Sequence, residues 1–196
     1  MLYNAKNLLV NKIALKNSPN EVFNCVYFTK NLTCATDGFR LLEISVDSTA
    51  KVEDYPQVQG VGAMRGCKPF LVPARSVAEL KIPKNKNLPA LECVALKHVD
   101  DTRVEFLTTD LENANITQAR RIDAAFPDYE KIFPTGNPLA EVNINGAYLA
   151  EITKIMADIG KNGIVRMKIY GAEKPVVLTA DSGTQQARAL LQGVRE

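Results

Sequence analysis

Hydrophobic positions along the chain fall into three groups of similar layout, each with a helix-period segment and strand-period segments after it. In the first group, residues 1–47, Leu8, Leu9, Ile13 and Leu15 make a helical stripe over residues 4–16. The polar cluster 17–20 breaks it, and residues 21–28 and 32–35 read as strands rich in Val, Phe, Tyr and Thr. Thr36-Asp37-Gly38 predicts a turn with Gly38 at positive φ, and a further strand runs over 41–46. Residues 47–68 carry Pro56, Gly60, Gly62 and Gly66 with little periodicity, and predict a long surface loop.

The second group, residues 69–123, opens with a strand over 69–72 and a helix over 75–81. Three strands follow at 91–99, 103–108 and 115–122. Residues 135–138, Thr-Gly-Asn-Pro, read as a linker. In the third group a short strand is expected over 140–144, with Asn145 as N-cap. Leu149, Ile152, Ile155, Met156 and Ile159 share one helical face, and Gly160 suits the C′ position. Asn162-Gly163 is a turn signal, residues 164–170 alternate as a half-buried strand, and strands at 176–180 and 184–191 close the group. The pattern as a whole predicts an α+β fold of three strand–helix–strands modules, with antiparallel sheets packed against helices.

Composition narrows the function little: 46% hydrophobic and 23% charged residues are ordinary for a globular protein. No apolar run is long enough to span a membrane and the N-terminus is unlike a signal peptide, so the cytoplasm is expected and no membrane partner. Cys25, Cys34, Cys67 and Cys93 lack metal-ligand spacing, and Cys25 and Cys34 sit in apolar runs that suit buried thiols. No metal or other cofactor is expected. A net charge of +2 means that any contact with DNA must come from a local basic face.

Catalytic signatures are missing. The sequence has no phosphate-binding loop, nucleophile elbow, HExxH or dinucleotide fingerprint. Its one histidine, His98, lies at a strand end before a turn and reads as a solvated residue. Asp37 and Asp128 sit in turns beside Gly or Pro, where bonds to the local backbone are the expected role. A non-catalytic protein is expected.

The segment Asn24-Cys25-Val26-Tyr27-Phe28, followed by Thr33-Cys34-Ala35-Thr36-Asp37-Gly38-Phe39-Arg40-Leu41, resembles the bacterial β sliding clamp family, the processivity subunit of DNA polymerase III. That family commonly has His where Phe39 stands. Phe70-Leu71-Val72-Pro73, Phe126-Pro127-Asp128-Tyr129 with Pro134, and residues 143–195 continue the resemblance in order. The family's closing Met-Pro-Met-Arg appears as Gln192-Gly193-Val194-Arg195. The resemblance implies a shortened clamp: residues 1–134 stand for the family's two-module middle domain, and 139–196 for the second half of its last domain.

It also implies partners and sites. DNA polymerase and other proteins carrying clamp-binding motifs would be held in a groove walled by Phe23, Thr36, Gly38, Phe39, Arg40, Leu41, Pro127, Lys131 and Ile132. Leu190, Gln192, Gly193, Val194 and Arg195 would form its other side. Double-stranded DNA would be met through its backbone by Lys6, Lys12, Lys16, Arg75, Lys81, Lys154 and Lys161. Without the family's first domain a ring needs more copies, so a homo-oligomer is expected. The alternative is a peptide-binding adaptor or decoy of the same fold that does not encircle DNA.

Overall fold

A computed structural model describes residues 1–47, 55–56, 68–85, 87–171 and 173–194. The chain divides into two compact units, Met1–Asp128 and Tyr129–Glu196. The division lies ahead of the 135–138 segment expected as a linker.

The first unit contains two modules. The first has β1 (Leu2–Asn4), a 3-10 helix (Asn7–Lys12), β2 (Cys25–Phe28), β3 (Leu32–Thr36) and β4 (Leu41–Ser45). The second has β5 (Phe70–Pro73), α1 (Ala74–Ala78), β6 (Cys93–His98), β7 (Arg103–Thr109) and β8 (Ala114–Arg120). Each module lends its leading strand to the other's sheet. The two sheets run β4-β3-β2-β5 and β1-β6-β7-β8, with β5 on β2 and β1 on β6, all antiparallel. Alternation turns Val26 and Phe28 of β2 and Val94 and Leu96 of β6 into one core. There they meet Leu8 and Val10 of the 3-10 helix and Ala74 and Val77 of α1. The ring of Phe28 stacks on Phe70 at 5.4 Å and meets Tyr3 edge-on at 5.3 Å.

Three expectations are corrected in this unit. The helix expected over 4–16 is a strand followed by six residues of 3-10 helix. Asn4 and Asn7 explain this locally: each side-chain Oδ1 accepts the other's backbone N–H at 3.1 Å, which competes with helical bonding. Asn7 is itself buried, and its Nδ2 donates to the carbonyls of Ile44 and Ser45. The second helix stops at Ala78 rather than 81. Tyr55, in the segment expected as surface loop, is buried with Leu2, Cys93, Ala95 and Leu107, and its hydroxyl donates to the Leu107 carbonyl at 3.1 Å. Gly60, Gly62, Gly66 and Cys67 lie outside the described residues, as does the side chain of His98.

The second unit carries one module. Helix α2 (Gly146–Ile159) precedes β9 (Arg166–Lys168), β10 (Val176–Asp181) and β11 (Gln186–Leu191), which form an antiparallel sheet in the order β11-β10-β9. Asn145 caps the helix as expected, its Oδ1 accepting the N–H groups of Ala147 and Tyr148. Met156 packs on Leu178 and Ala180 with Leu149, Ile152 and Val165 at the rim.

Here too the pattern is corrected. Residues 140–144 form no strand, and the strand expected over 164–170 shrinks to three exposed residues. Ile155, expected on the buried face, is 60% exposed. Gly160 sits at φ −70°, so its need for glycine is one of space: a Cβ would lie 2.4 Å from the Ile164 carbonyl oxygen. Asn162 and Gly163 take the positive φ angles that the Asn-Gly pair predicts.

Candidate functional site

In the first unit the hairpin between β3 and β4 gathers five of the expected groove residues on a fixed turn. The Thr36 hydroxyl donates to the Arg40 carbonyl at 2.9 Å and accepts the Gly38 N–H at 3.1 Å. Asp37 accepts the backbone N–H groups of Phe39 and Arg40 through Oδ1, both at 2.9 Å, and the Arg40 Nε through Oδ2 at 2.8 Å. These bonds hold its carboxyl down to about 2, the two backbone donors contributing first. Gly38, at φ +90°, lies under the Phe23 ring, whose edge would be 3.4 Å from a Cβ placed there. The turn therefore projects Phe39 fully into solvent, with Leu41 half-buried at its base. Pro127 is exposed at the end of this unit.

A second basic feature of this unit is a cavity of about 730 Å3 beside the two short helices, lined in part by Lys12, Lys16, Arg75 and Arg120. Arg120 is ion-paired with Glu21. Lys12, Lys16 and Arg75 have no carboxylate partner among the described residues. Lys6 and Lys81 are exposed and do not line it.

The second unit holds its own apolar groove, about 490 Å3, between α2 and the end of β11. Leu190, Leu191, Gln192, Gly193 and Val194 line it. The strand alternation turns Leu191 into the core and leaves Leu190 68% exposed. The N–H of Val194 donates to the Asn143 carbonyl at 2.7 Å, which ties the tail in place. Opposite stand Tyr148, Ile152, Asn145 and Glu151, none of which sequence reasoning assigned to a site. Their signal was helical spacing: Tyr148 precedes Ile152 by four residues and Glu151 by three, so the three share a flank. The N-cap bond of Asn145 fixes the first turn from which Tyr148 projects. Lys131 and Ile132 belong to a 3-10 helix, Tyr129–Ile132, and do not line this groove. Lys154 and Lys161 are exposed in this unit beside Glu151 and Asp158, and Arg195 lies outside the described residues.

Cys25, Cys34 and Cys93 are buried, and burial pushes the Cys25 thiol up to about 11. No cluster of three or more His, Cys, Asp or Glu among the described residues could hold a metal ion. None of the described helices is long and apolar enough to cross a membrane.

No family model matches the sequence, and none of the curated proteins matches it. Solved structures do match the fold. The beta subunit of the Streptococcus pyogenes DNA polymerase aligns over 100% of this chain at a TM-score of 0.65 and 14% identity. The DNA polymerase sliding clamp from Pseudomonas aeruginosa aligns over 98% at 0.62 and 15%. The C. crescentus beta sliding clamp aligns over 98% at 0.61 and 21%. The fold is that of the sliding clamps. This chain spans about half the length of each, 50% of the clamp being covered in all three alignments. The clamp fold here comprises one unit of two modules and one unit with a single module.

Proposed function

We propose that this chain is a non-catalytic, sliding-clamp-like tethering factor of DNA replication or repair, which binds short linear motifs of polymerases and other partners. The observation that carries the reading is the open apolar groove between α2 and β11 in a chain of clamp fold. Tyr148, Ile152 and Leu190 offer apolar contact, while Asn145 and Glu151 supply polar groups at the rim. An apolar pocket with a few polar groups suits the Leu or Phe anchor of an extended peptide. On the first unit, the turn carrying Phe39 and Arg40, with Phe23 and Leu41 behind it, is the second proposed contact surface. Pro127, Lys131 and Ile132 complete the proposed peptide-binding set.

DNA contact through phosphates is proposed chiefly for Lys12, Lys16 and Arg75, which line one cavity and make no ion pair among the described residues. Lys6 and Lys81 extend that set. Lys154 and Lys161 belong to it less strongly, because Glu151 and Asp158 stand beside them. Self-association and a cytoplasmic location belong to the same proposal.

The test is anisotropy of a fluorescent peptide carrying a clamp-binding motif, titrated with wild type and with Leu190→Asp. Leu190 is exposed, so the substitution leaves the core alone. Saturable micromolar binding that weakens by about tenfold or more in the variant is expected. A folded wild type that does not bind the peptide overturns the reading. Retention on circular DNA that falls with salt separates a clamp from an adaptor that never encircles DNA.

A further inference from the structure

The first unit shows how a module of this chain is completed. The first sheet strand after each helix, β2 or β6, takes the other module's leading strand on its free edge. The two short helices pack against each other. Val26, Phe28, Val94 and Leu96, the inward residues of those strands, are then all 0% exposed.

The second unit has the same parts without the partner. Its first sheet strand is β9, and among the described residues nothing pairs with the edge of β9 away from β10. Met167, in register with the fully buried Leu178, is 44% exposed, and Ile169, next on that face, is 50% exposed. The leading segment 140–144 alternates Ala140, Val142 and Ile144 with Glu141 and Asn143, as a strand should. It nevertheless joins no sheet, and its described backbone bonding to other elements is the Asn143 carbonyl to Val194. Helix α2 leaves Ile155 uncovered between the exposed charges Glu151, Lys154 and Asp158.

We infer that a second copy of this chain supplies the missing module. The two second units dock about a two-fold axis, α2 antiparallel to the partner's α2, and each gives residues 140–144 as a fourth strand on the partner's β9 edge. Such an interface is self-complementary, as two-fold symmetry requires. Charge supports the occupant. At the register that sets residue 156 level with the partner's residue 156 along the two helices, Lys154 comes opposite the partner's Asp158, and Glu151 opposite the partner's Lys161. Among the described residues, none of these four has an ion-pair partner. The added strand also satisfies backbone groups that an open edge leaves to solvent, and it covers Met167 and Ile169.

The inference gives a surface to the self-association in the proposed function and rests on no part of the peptide reading. It is tested by sedimentation equilibrium of the full chain across roughly 1–100 μM. The variants are Ile155→Glu, Val142→Pro, Lys154→Asp and the swap Lys154→Asp/Asp158→Lys. Circular dichroism confirms that each is folded. A wild-type dimer is expected. Ile155→Glu and Val142→Pro should weaken it about tenfold or more, the first by burying a charge and the second by removing a ladder donor. Lys154→Asp should weaken it and the swap should restore it. Amides within residues 141–144 should be protected from hydrogen exchange in wild type, and those that remain in Val142→Pro should lose that protection. A wild type that stays monomeric over this range overturns the inference, and so does a dimer that Ile155→Glu and Val142→Pro leave unchanged. Ile155 does not line the groove, so Ile155→Glu should still bind the peptide. Loss of self-association and failure of the peptide reading therefore register separately.

Discussion

Asp37 holds Arg40 at two points, its Oδ2 2.8 Å from the guanidinium Nε and its Oδ1 2.9 Å from the same residue's backbone nitrogen. One carboxylate thus sets both the turn and the direction in which its neighbour Phe39 leaves the surface. The group's pKa is lowered to about 2, so the folded state favours the ionised form. Its contribution to stability is present above the ordinary value of about 3.9 and is lost as pH falls toward the folded value. Asp37→Asn should therefore be less stable than wild type at pH 7, with the gap closing between about pH 4 and pH 2. Urea melts at a series of pH values measure this. A gap unchanged across the window would show that the carboxylate's charge is not what holds the turn.

Phe28 is fully buried among Tyr3, Phe70 and Phe106, where both modules of the first unit meet. Phe28→Ala should cost about 3–5 kcal/mol, because the surrounding rings and sheets cannot collapse into the space. Chemical denaturation followed by tyrosine fluorescence reads the loss.

At Gly160 the constraint is a carbonyl oxygen. A Cβ would meet the Ile164 oxygen at 2.4 Å and the Ala180 Cβ at 3.4 Å. Gly160→Ala should destabilise the second unit by about 1–3 kcal/mol, although its φ suits alanine. Hydrogen exchange should show the change in α2 and β10 and leave the first unit's core amides as they were.

Cys25, Cys34 and Cys93 are buried, and both Cys25 and Cys93 have thiols pushed up by burial first and nearby carboxylates second. Little thiolate forms at pH 8, and access is closed. Maleimide labelling of the native protein, read by peptide mass mapping, should leave these three unmodified. All three should label in urea. Rapid native labelling of Cys25 would contradict the packing around it.

Much of the architecture could be read from the pattern of residues. Runs of β-branched and aromatic residues bounded by turn residues located β3, β4, β7, β8, β10 and β11 to within about two residues, because strand propensity and turn chemistry are local. Asn145 and Asn162-Gly163 announced the start of α2 and the turn after it, since caps and left-handed turns depend on local chemistry. The turn at Thr36–Arg40 was legible for the same reason; its place in a contact surface is implied by the family resemblance alone.

The rest depended on what each segment meets. The stripe at residues 4–16 has helical spacing, but the Asn4–Asn7 exchange and the pairing of β1 with β6 overrode it. Tyr55 is buried because Leu107, far along the chain, offers a carbonyl and a hydrophobic pocket. The groove in the second unit joins an N-cap, a helix flank and a strand end that periodicity cannot place side by side. Nor could sequence reasoning see that Ile155, Met167 and Ile169 stay open, since apolar spacing reports which residues can be buried and not whether a partner is there. Short-range order therefore follows from the sequence itself, through backbone sterics and side-chain-to-backbone bonds. Strand exchange, groove and uncovered face were decided by tertiary structure alone, because each is set by contacts between segments distant in the chain.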